Sequence, residues 1–175
     1  MDRPFATPRL LLGTSAFTAK GWQSTFYPAD MKSADHLRYD STRFQTVEVD
    51  STFYGTPPAA RVKSWYEKTP RAFVFAAKVP QVITHEKVLV DCHAEWNSFL
   101  STMDVLGEKL GPLLFQFAHF NNSDFKSGDE FLALLRPFLK KLPKDHRFAV
   151  EIRNKSWLDG RFADALRENN VALAL

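Results

Sequence analysis

The chain has 175 residues, 45% of them hydrophobic and 25% charged, an ordinary balance for one soluble globular domain with a sizeable core. Its net charge of +3 comes from interspersed acidic and basic residues, little reason to expect a nucleic-acid or membrane partner held by bulk charge. The single cysteine, Cys92, excludes an intrachain disulfide and fits a reducing compartment.

The N-terminus, MDRPFATPRLLLG, carries only a three-leucine run, too short for a signal peptide, and no later stretch approaches membrane-spanning length. A cytoplasmic protein with no membrane partner is therefore expected. The first predicted strand is LLLGT (10–14), and a helix follows Ser33. TVEVD (46–50) alternates as a strand should, then TPP opens a second helix with Val62 and Trp65 inward that stops before Pro70. FVFAAKV (73–79) precedes a helix over about 93–106, whose stripe of Trp96, Phe99, Leu100, Met103 and Leu106 ends at Gly107. LLFQF (113–117) is followed by a helix opened by SGDE, where Ser127 and Glu130 have capping-box spacing. That helix carries Phe131, Leu134, Leu135 and Phe138, and Pro137 is expected to kink or interrupt it. FAVEIR (148–153), a helix from about Asp159 to ENN, and VALAL (171–175) complete the pattern.

Strict alternation of strand and helix predicts one α/β domain over 1–175 with a parallel sheet and right-handed crossovers. Side chains two apart on a strand share a face. With Val47, Val49, Val150 and Ile152 beneath helices, Glu48, Asp50, Glu151 and Arg153 look the other way. A doubly wound sheet would bury those charges under a second helix layer at high cost. In a barrel they would line the C-terminal rim, where active sites of such barrels lie. A TIM-type (β/α) barrel is the expected fold.

Four strands thus end in aligned polar groups: Glu48 and Asp50, Lys78, Gln116, then Glu151 and Arg153. Two cations among carboxylates suit a polar, anionic ligand and proton transfer within it; the plain alternative is an ion-pair network filling the mouth. His85, just past the third strand, is the best general acid or base among the five histidines, or else a loop hydrogen-bonding residue. His36, His93, His119 and His146 show no ligand spacing with one another or with Cys92, so no metal is expected. Cys92 and His93 point apart as sequence neighbours, and Cys92 reads as a small buried apolar residue. GTSAF lacks the second glycine of a nucleophile elbow, which weakens Ser15 as a nucleophile, though residues 13–15 could still offer backbone N–H groups. GEKLGP lacks the ending of a phosphate-binding loop and no GxGxxG occurs, so no nucleotide cofactor is expected. Trp22, Phe53, Tyr54 and Trp157 near the presumed rim could stack on a ligand or simply pack loops.

The blocks GTSAF…GWQSTFYP, FQTVEVDSTFY, FVFAAKVPQVITH, LGEKLGPLLFQF and AVEIRNKSW, in this order, resemble the domain of unknown function 72 family, the YecE-like proteins. The resemblance runs from Leu12 to the C-terminus and implies a TIM-type barrel without an assigned activity. It places recurrent polar positions on Thr14, Ser15, Glu48, Ser51, Tyr54, Lys78, His85, Gln116, Glu151, Arg153 and Trp157. Three departures stand out: Ala16 and Phe17 after GTS, Asp50 in place of an asparagine, and Asn154 where a histidine is common. Six strands and five helices make about six βα units, so the resemblance also implies a barrel lacking its last two units, with an oligomeric contact expected at the C-terminal strand.

The expected function is acid–base or hydrolytic chemistry on a small polar, anionic molecule, without metal or cofactor. Lys78 and Arg153 would hold negative charge, Glu48 and Glu151 would exchange protons, and Gln116 and Tyr54 would orient the ligand. The alternatives are a nucleic-acid-binding or processing protein, and a binding module without catalysis.

Overall fold

The computed structural model describes residues 10–175; the first nine residues of the N-terminal reading lie outside it. Six strands form one sheet: β1 (Gly13–Thr14), β2 (Thr46–Val49), β3 (Val74–Lys78), β4 (Leu110–Gln116), β5 (Phe148–Glu151) and β6 (Ala172–Leu173). Five helices separate them: α1 (His36–Arg43), α2 (Ala59–Lys68), α3 (His93–Met103), α4 (Gly128–Lys140) and α5 (Gly160–Glu168). Every strand pairs parallel to its successor, in the order β1-β2-β3-β4-β5-β6. A doubly wound sheet would reverse that order partway. The unreversed order is the winding of a TIM-type barrel, here an open, incomplete one.

The core lies between the outer face of the sheet and the helices. Val47, Val49, Phe75, Ala77, Phe115, Phe148, Val150 and Ile152 are buried there against Val62, Trp65, Phe99, Phe131, Phe138 and Phe162 from the helices. Trp96 is a hub: its ring centroid lies 5.3 Å from Phe115 and 6.0 Å from both Phe138 and Phe148. Edge and tilted aromatic contacts of this kind add to the area they bury.

Several boundaries differ from the sequence reading, each for a local reason. Only Gly13 and Thr14 of the segment 10–14 form a strand. The Leu12 N–H instead donates to the Gln45 side chain, and a Cβ on Gly13 would lie 2.0 Å from the Thr46 carbonyl oxygen, so only glycine permits this pairing. Strand β4 starts three residues early, and its register against β3 slips between Phe75 and Ala77. Gly111 and Pro112 occupy that slip, where a missing side chain and a missing N–H are tolerated. Helix α3 stops at Met103 and a 3-10 segment, Asp104–Lys109, carries the chain on through Gly107 at φ 50°. Pro137 does not interrupt α4, which continues to Lys140. Pro137 and Ala133 are exposed, so water can satisfy the carbonyl left without an N–H, while buried Phe138 and Leu139 hold the last turn.

Both helix starts read from capping residues are present. Ser127 accepts from the Glu130 N–H at 3.4 Å, although Glu130 reaches back to Lys126 rather than to Ser127. Asp159 accepts from the Phe162 N–H at 3.0 Å. At the opposite end of the sheet, the buried Lys109 ammonium donates to the carbonyls of Tyr66 and Thr69 at 2.6 and 2.7 Å, closing the C-terminal end of α2. Phe115→Ala should cost about 3–5 kcal/mol, read from urea unfolding midpoints, because it empties the centre of the Trp96 cluster. A loss below about 1 kcal/mol would place the core elsewhere.

Candidate functional site

Register decides which side chains meet on the face away from the helices. Glu48 is opposite Ala76, Lys78 is opposite Leu114, and Gln116 is opposite Glu151. Lys78 lies two residues beyond Ala76, and Gln116 two beyond Leu114, so all four polar residues project from one face near the C-terminal ends of their strands. Lys78 Nζ is 3.5 Å from Glu48 Oε1, with side chains 20% and 26% exposed. The Gln116 amide donates to Glu151 Oε2 at 2.7 Å. Arg153 Nε stands 3.9 Å from the other Glu151 oxygen, its own side chain 57% exposed. Glu151 thus has one hydrogen-bond donor and a looser ion-pair partner, and stays partly open to water.

The turns beyond the strands fix this geometry. The chain leaves β2 in a 3-10 turn, Asp50–Tyr54, whose buried Thr52 hydroxyl lies 2.7 Å from the Val49 carbonyl and 2.6 Å from that of Lys78. It therefore ties the end of β2 to the end of β3. Asn154 is buried and grips the backbone of Phe120 from both sides, accepting from its N–H at 2.9 Å and donating to its carbonyl at 2.8 Å. An imidazole could not make that paired contact with the N–H and C=O of one residue in the same way, because its two nitrogens point apart. The departure at this position thus has a structural use.

His85 sits in a single π-helical turn, Val82–Glu86, that the sequence reading left as a loop. Its Nδ1 is 2.8 Å from the Thr84 hydroxyl, and Phe53 meets its ring edge-on at 4.9 Å. Burial lowers the His85 pKa below its ordinary value, and the positive charge of Arg153 lowers it further. Non-glycine residues Val88, Leu89 and Asp91 follow with positive φ, the kind of backbone strain that clusters around ligand sites. Beside His85 opens a cavity of about 350 Å³ that Val88, His119, Phe120, Asp124 and Phe125 also line; Glu48, Lys78, Gln116, Glu151 and Arg153 do not line it.

Other predicted residues fall outside this group. Thr14 is in register with outward-facing Val47, and its hydroxyl donates to Asp40 at 3.4 Å on the helix side of the sheet. Ser15 and Ser51 are exposed. Asp50 starts the 3-10 turn instead of extending β2, so it no longer shares the alternation of Glu48. Tyr54 projects into solvent beside Phe53. Trp157 is packed against Phe131 at 5.7 Å and Phe120 at 6.0 Å, and Trp22 against Phe26 at 5.5 Å. Among the described residues no group of three or more His, Cys, Asp or Glu is arranged to hold a metal ion.

The carboxyl with the largest displacement was not anticipated. Asp40 is fully buried on α1, one oxygen without a hydrogen-bond partner, and burial raises its pKa from 3.8 to about 6 against the opposing effect of the Thr14 hydroxyl. Its place three residues after buried Leu37, on the packing face of α1, was the available signal.

The sequence matches the model of a family described as protein of unknown function DUF72 over residues 11–175. It is 31% identical over 150 residues to the UPF0759 protein YunF of Bacillus subtilis (strain 168), covering 81% of this chain and 51% of that relative. It is 32% identical over 112 residues to the UPF0759 protein YecE of Escherichia coli (strain K12), covering 63% of this chain and 39% of that one. The chain spans about half the length or less of these curated relatives. Among solved structures, a DUF72 family protein from Thermotoga maritima MSB8 superimposes with a TM-score of 0.71 at 28% identity, over 92% of this chain and 62% of that one. Another, from Enterococcus faecalis V583, gives 0.61 at 27% identity, over 93% and 61%. Among the described residues, no helix is long and apolar enough to cross a membrane.

The Asp40 shift sets a pH dependence of stability. A carboxyl whose folded pKa exceeds its unfolded one stabilises the fold fully below the unfolded value and loses that contribution as pH rises through the folded value. Asp40→Asn keeps the neutral form at every pH. The variant should match the parent in thermal melting near pH 3.5 and melt higher above pH 6, with the gap opening between about 4 and 6. Equal melting temperatures at pH 8 would show that Asp40 ionises without strain.

Proposed function

We propose, for a chain that belongs to the DUF72 family, that the mouth formed by Glu48, Lys78, His85, Gln116, Glu151 and Arg153 binds a small polar, anionic molecule and performs acid–base or hydrolytic chemistry on it. The observation that carries this reading is that two partly exposed cation–carboxylate pairs, Lys78–Glu48 and Arg153–Glu151, lie on the face that the helices leave uncovered. A purely structural ion pair has no need of that exposure, and pairs at the surface contribute little stability.

Each group has a role consistent with its surroundings. Arg153 offers paired donors to a carboxylate or phosphate, and Lys78 a movable point charge. Glu48 and Glu151 are the proton-exchanging groups, with Gln116 orienting Glu151 through its 2.7 Å bond. His85, favoured in its neutral form by burial and by Arg153, offers a base beside them. Thr14, on the helix side, and Trp157, packed among phenylalanines, act in this reading as supports; exposed Ser15 and Tyr54 and half-buried Asp50 are the groups that would reach a ligand from the rim. Each mouth cation faces a carboxylate, a balance better suited to a compact ligand than to the repeated charge of a nucleic-acid backbone.

Lys78→Ala and Arg153→Ala should each weaken binding of an anionic ligand by several-fold or more, measured by calorimetric titration with phosphate, sulfate and small carboxylates. Both variants should retain most of the parent's stability, since neither side chain belongs to the core. Parent protein that binds none of these anions, or variants that unfold without altered affinity, would return the pairs to a structural role.

The same reading takes the domain as a barrel lacking its last two βα units. Support comes from β1 and β6, which each pair on one side only, and from Leu173, 42% exposed on the last strand. An unpaired strand edge of this kind invites pairing. Solution scattering of the 175-residue chain should show association at this edge or an open particle. A monodisperse, closed monomer would overturn the proposal.

A further inference from the structure

A second cavity, about 340 Å³, lies away from the two mouth ion pairs, between the start of α1 and one face of α2. Its polar side chains are Arg61, Lys68, Thr18, Ser33, Ser51 and Ser64, and among the described residues no carboxylate lines it. Arg61, Ser64, Trp65 and Lys68 are spaced three, one and three residues apart, so α2 presents them along a single stripe. Trp65 gives that stripe a rigid base, buried with its ring edge 6.3 Å from Phe17 and stacked at 6.4 Å on Phe75.

One of the two charges here is anchored, and neither is neutralised by an acid among the described residues. Lys68 Nζ donates to the Ala34 carbonyl at 2.9 Å, which anchors its ammonium beside the first turn leading into α1. Arg61 makes no ion pair and no side-chain hydrogen bond among the described residues. Two cations and four hydroxyls, those of Thr18, Ser33, Ser51 and Ser64, line one pocket without an acid among the described residues, which makes it complementary to negative charge.

We propose that this cavity binds a phosphate group, either free or carried by a small organic molecule. Its volume is near the lower end of the roughly 300–1,000 Å³ range of small-molecule sites, which favours a phosphate with a short attachment over a polymer. Arg61 grips the oxyanion from the exposed side, Lys68 faces it from beside the Ala34 carbonyl, and the lining hydroxyls donate to the remaining oxygens. The assignment does not depend on the mouth residues, from which it differs in both elements and charge balance.

The test is a titration with inorganic phosphate, followed by amide and indole N–H resonances in NMR spectra, with chloride at matched ionic strength as the control. Saturable shifts are expected at the Ser33, Ala34 and Ser51 amides and at the Trp65 indole. Arg61→Ala should weaken that binding at least about fivefold, as loss of one charge-assisted contact does. Arg61→Glu should abolish it, and Lys78→Ala should leave it unchanged. Arg61 is exposed, so both variants at this position keep the core intact. Absence of saturable shifts at these groups, or equal affinity in Arg61→Ala, overturns the proposal. Shifts confined to the neighbourhood of Lys78 and Arg153 would do the same while supporting the mouth as an anion site.

Discussion

The strands follow one another across the sheet without a reversal, and each connection carries a helix to the same side. That single constraint gives the ends of the strands that reach the mouth two chemistries. Residues toward the helices must be apolar to form the core, while those away from them meet neither helix nor core. Val47 and Val49 alternate with Glu48 for this reason, as Val150 and Ile152 do with Glu151. Placed under a second helix layer, the same glutamates would suffer the desolvation cost of buried charge. On the open face they stay partly hydrated, each with a cation close by, at 3.5 and 3.9 Å.

Holding such a group in place needs more than strand register. Thr52 ties the end of β2 to the carbonyl of Lys78, and Asn154 clasps the backbone of Phe120. These buried side chains each satisfy backbone atoms on a different strand's exit turn, so neighbouring turns move together. Phe120 in turn leans on Trp157 and Phe131. The result is a polar mouth standing on an aromatic foundation, which lets short strands position charged residues without a long hydrogen-bond ladder.

Much of this was legible in the residues themselves. Period-two alternation identified the buried valines and the facing glutamates, and the spacing of Trp96, Phe99 and Met103 identified α3. Capping at Ser127 and Asp159 marked two helix starts. The losses occurred where tertiary contacts compete with local pattern. Asp50 looks like the next inward residue of β2, but Thr52 draws the chain into a 3-10 turn before it. Thr14 shares a motif with Ser15, yet parallel pairing with Val47 turns it toward Asp40. The π-helical turn around His85 has no local periodic signature. Asp40 was hidden because a lone aspartate on a helix ordinarily reads as surface, and only the packed neighbours reveal its burial.

The order of the strands also bears on how the chain reaches this structure. Each strand finds its partner one βα unit away, so no pairing waits for a distant segment to arrive. Topologies dominated by such near-neighbour pairings avoid the large loop-closure entropy that slows sheets with distant partners. On a ribosome, β1 and β2 can pair while β5 is still unsynthesised, and each later unit can dock on an edge already in place. The growing edge is then the template for the next strand, each unit docking on backbone groups that the one before it leaves unpaired.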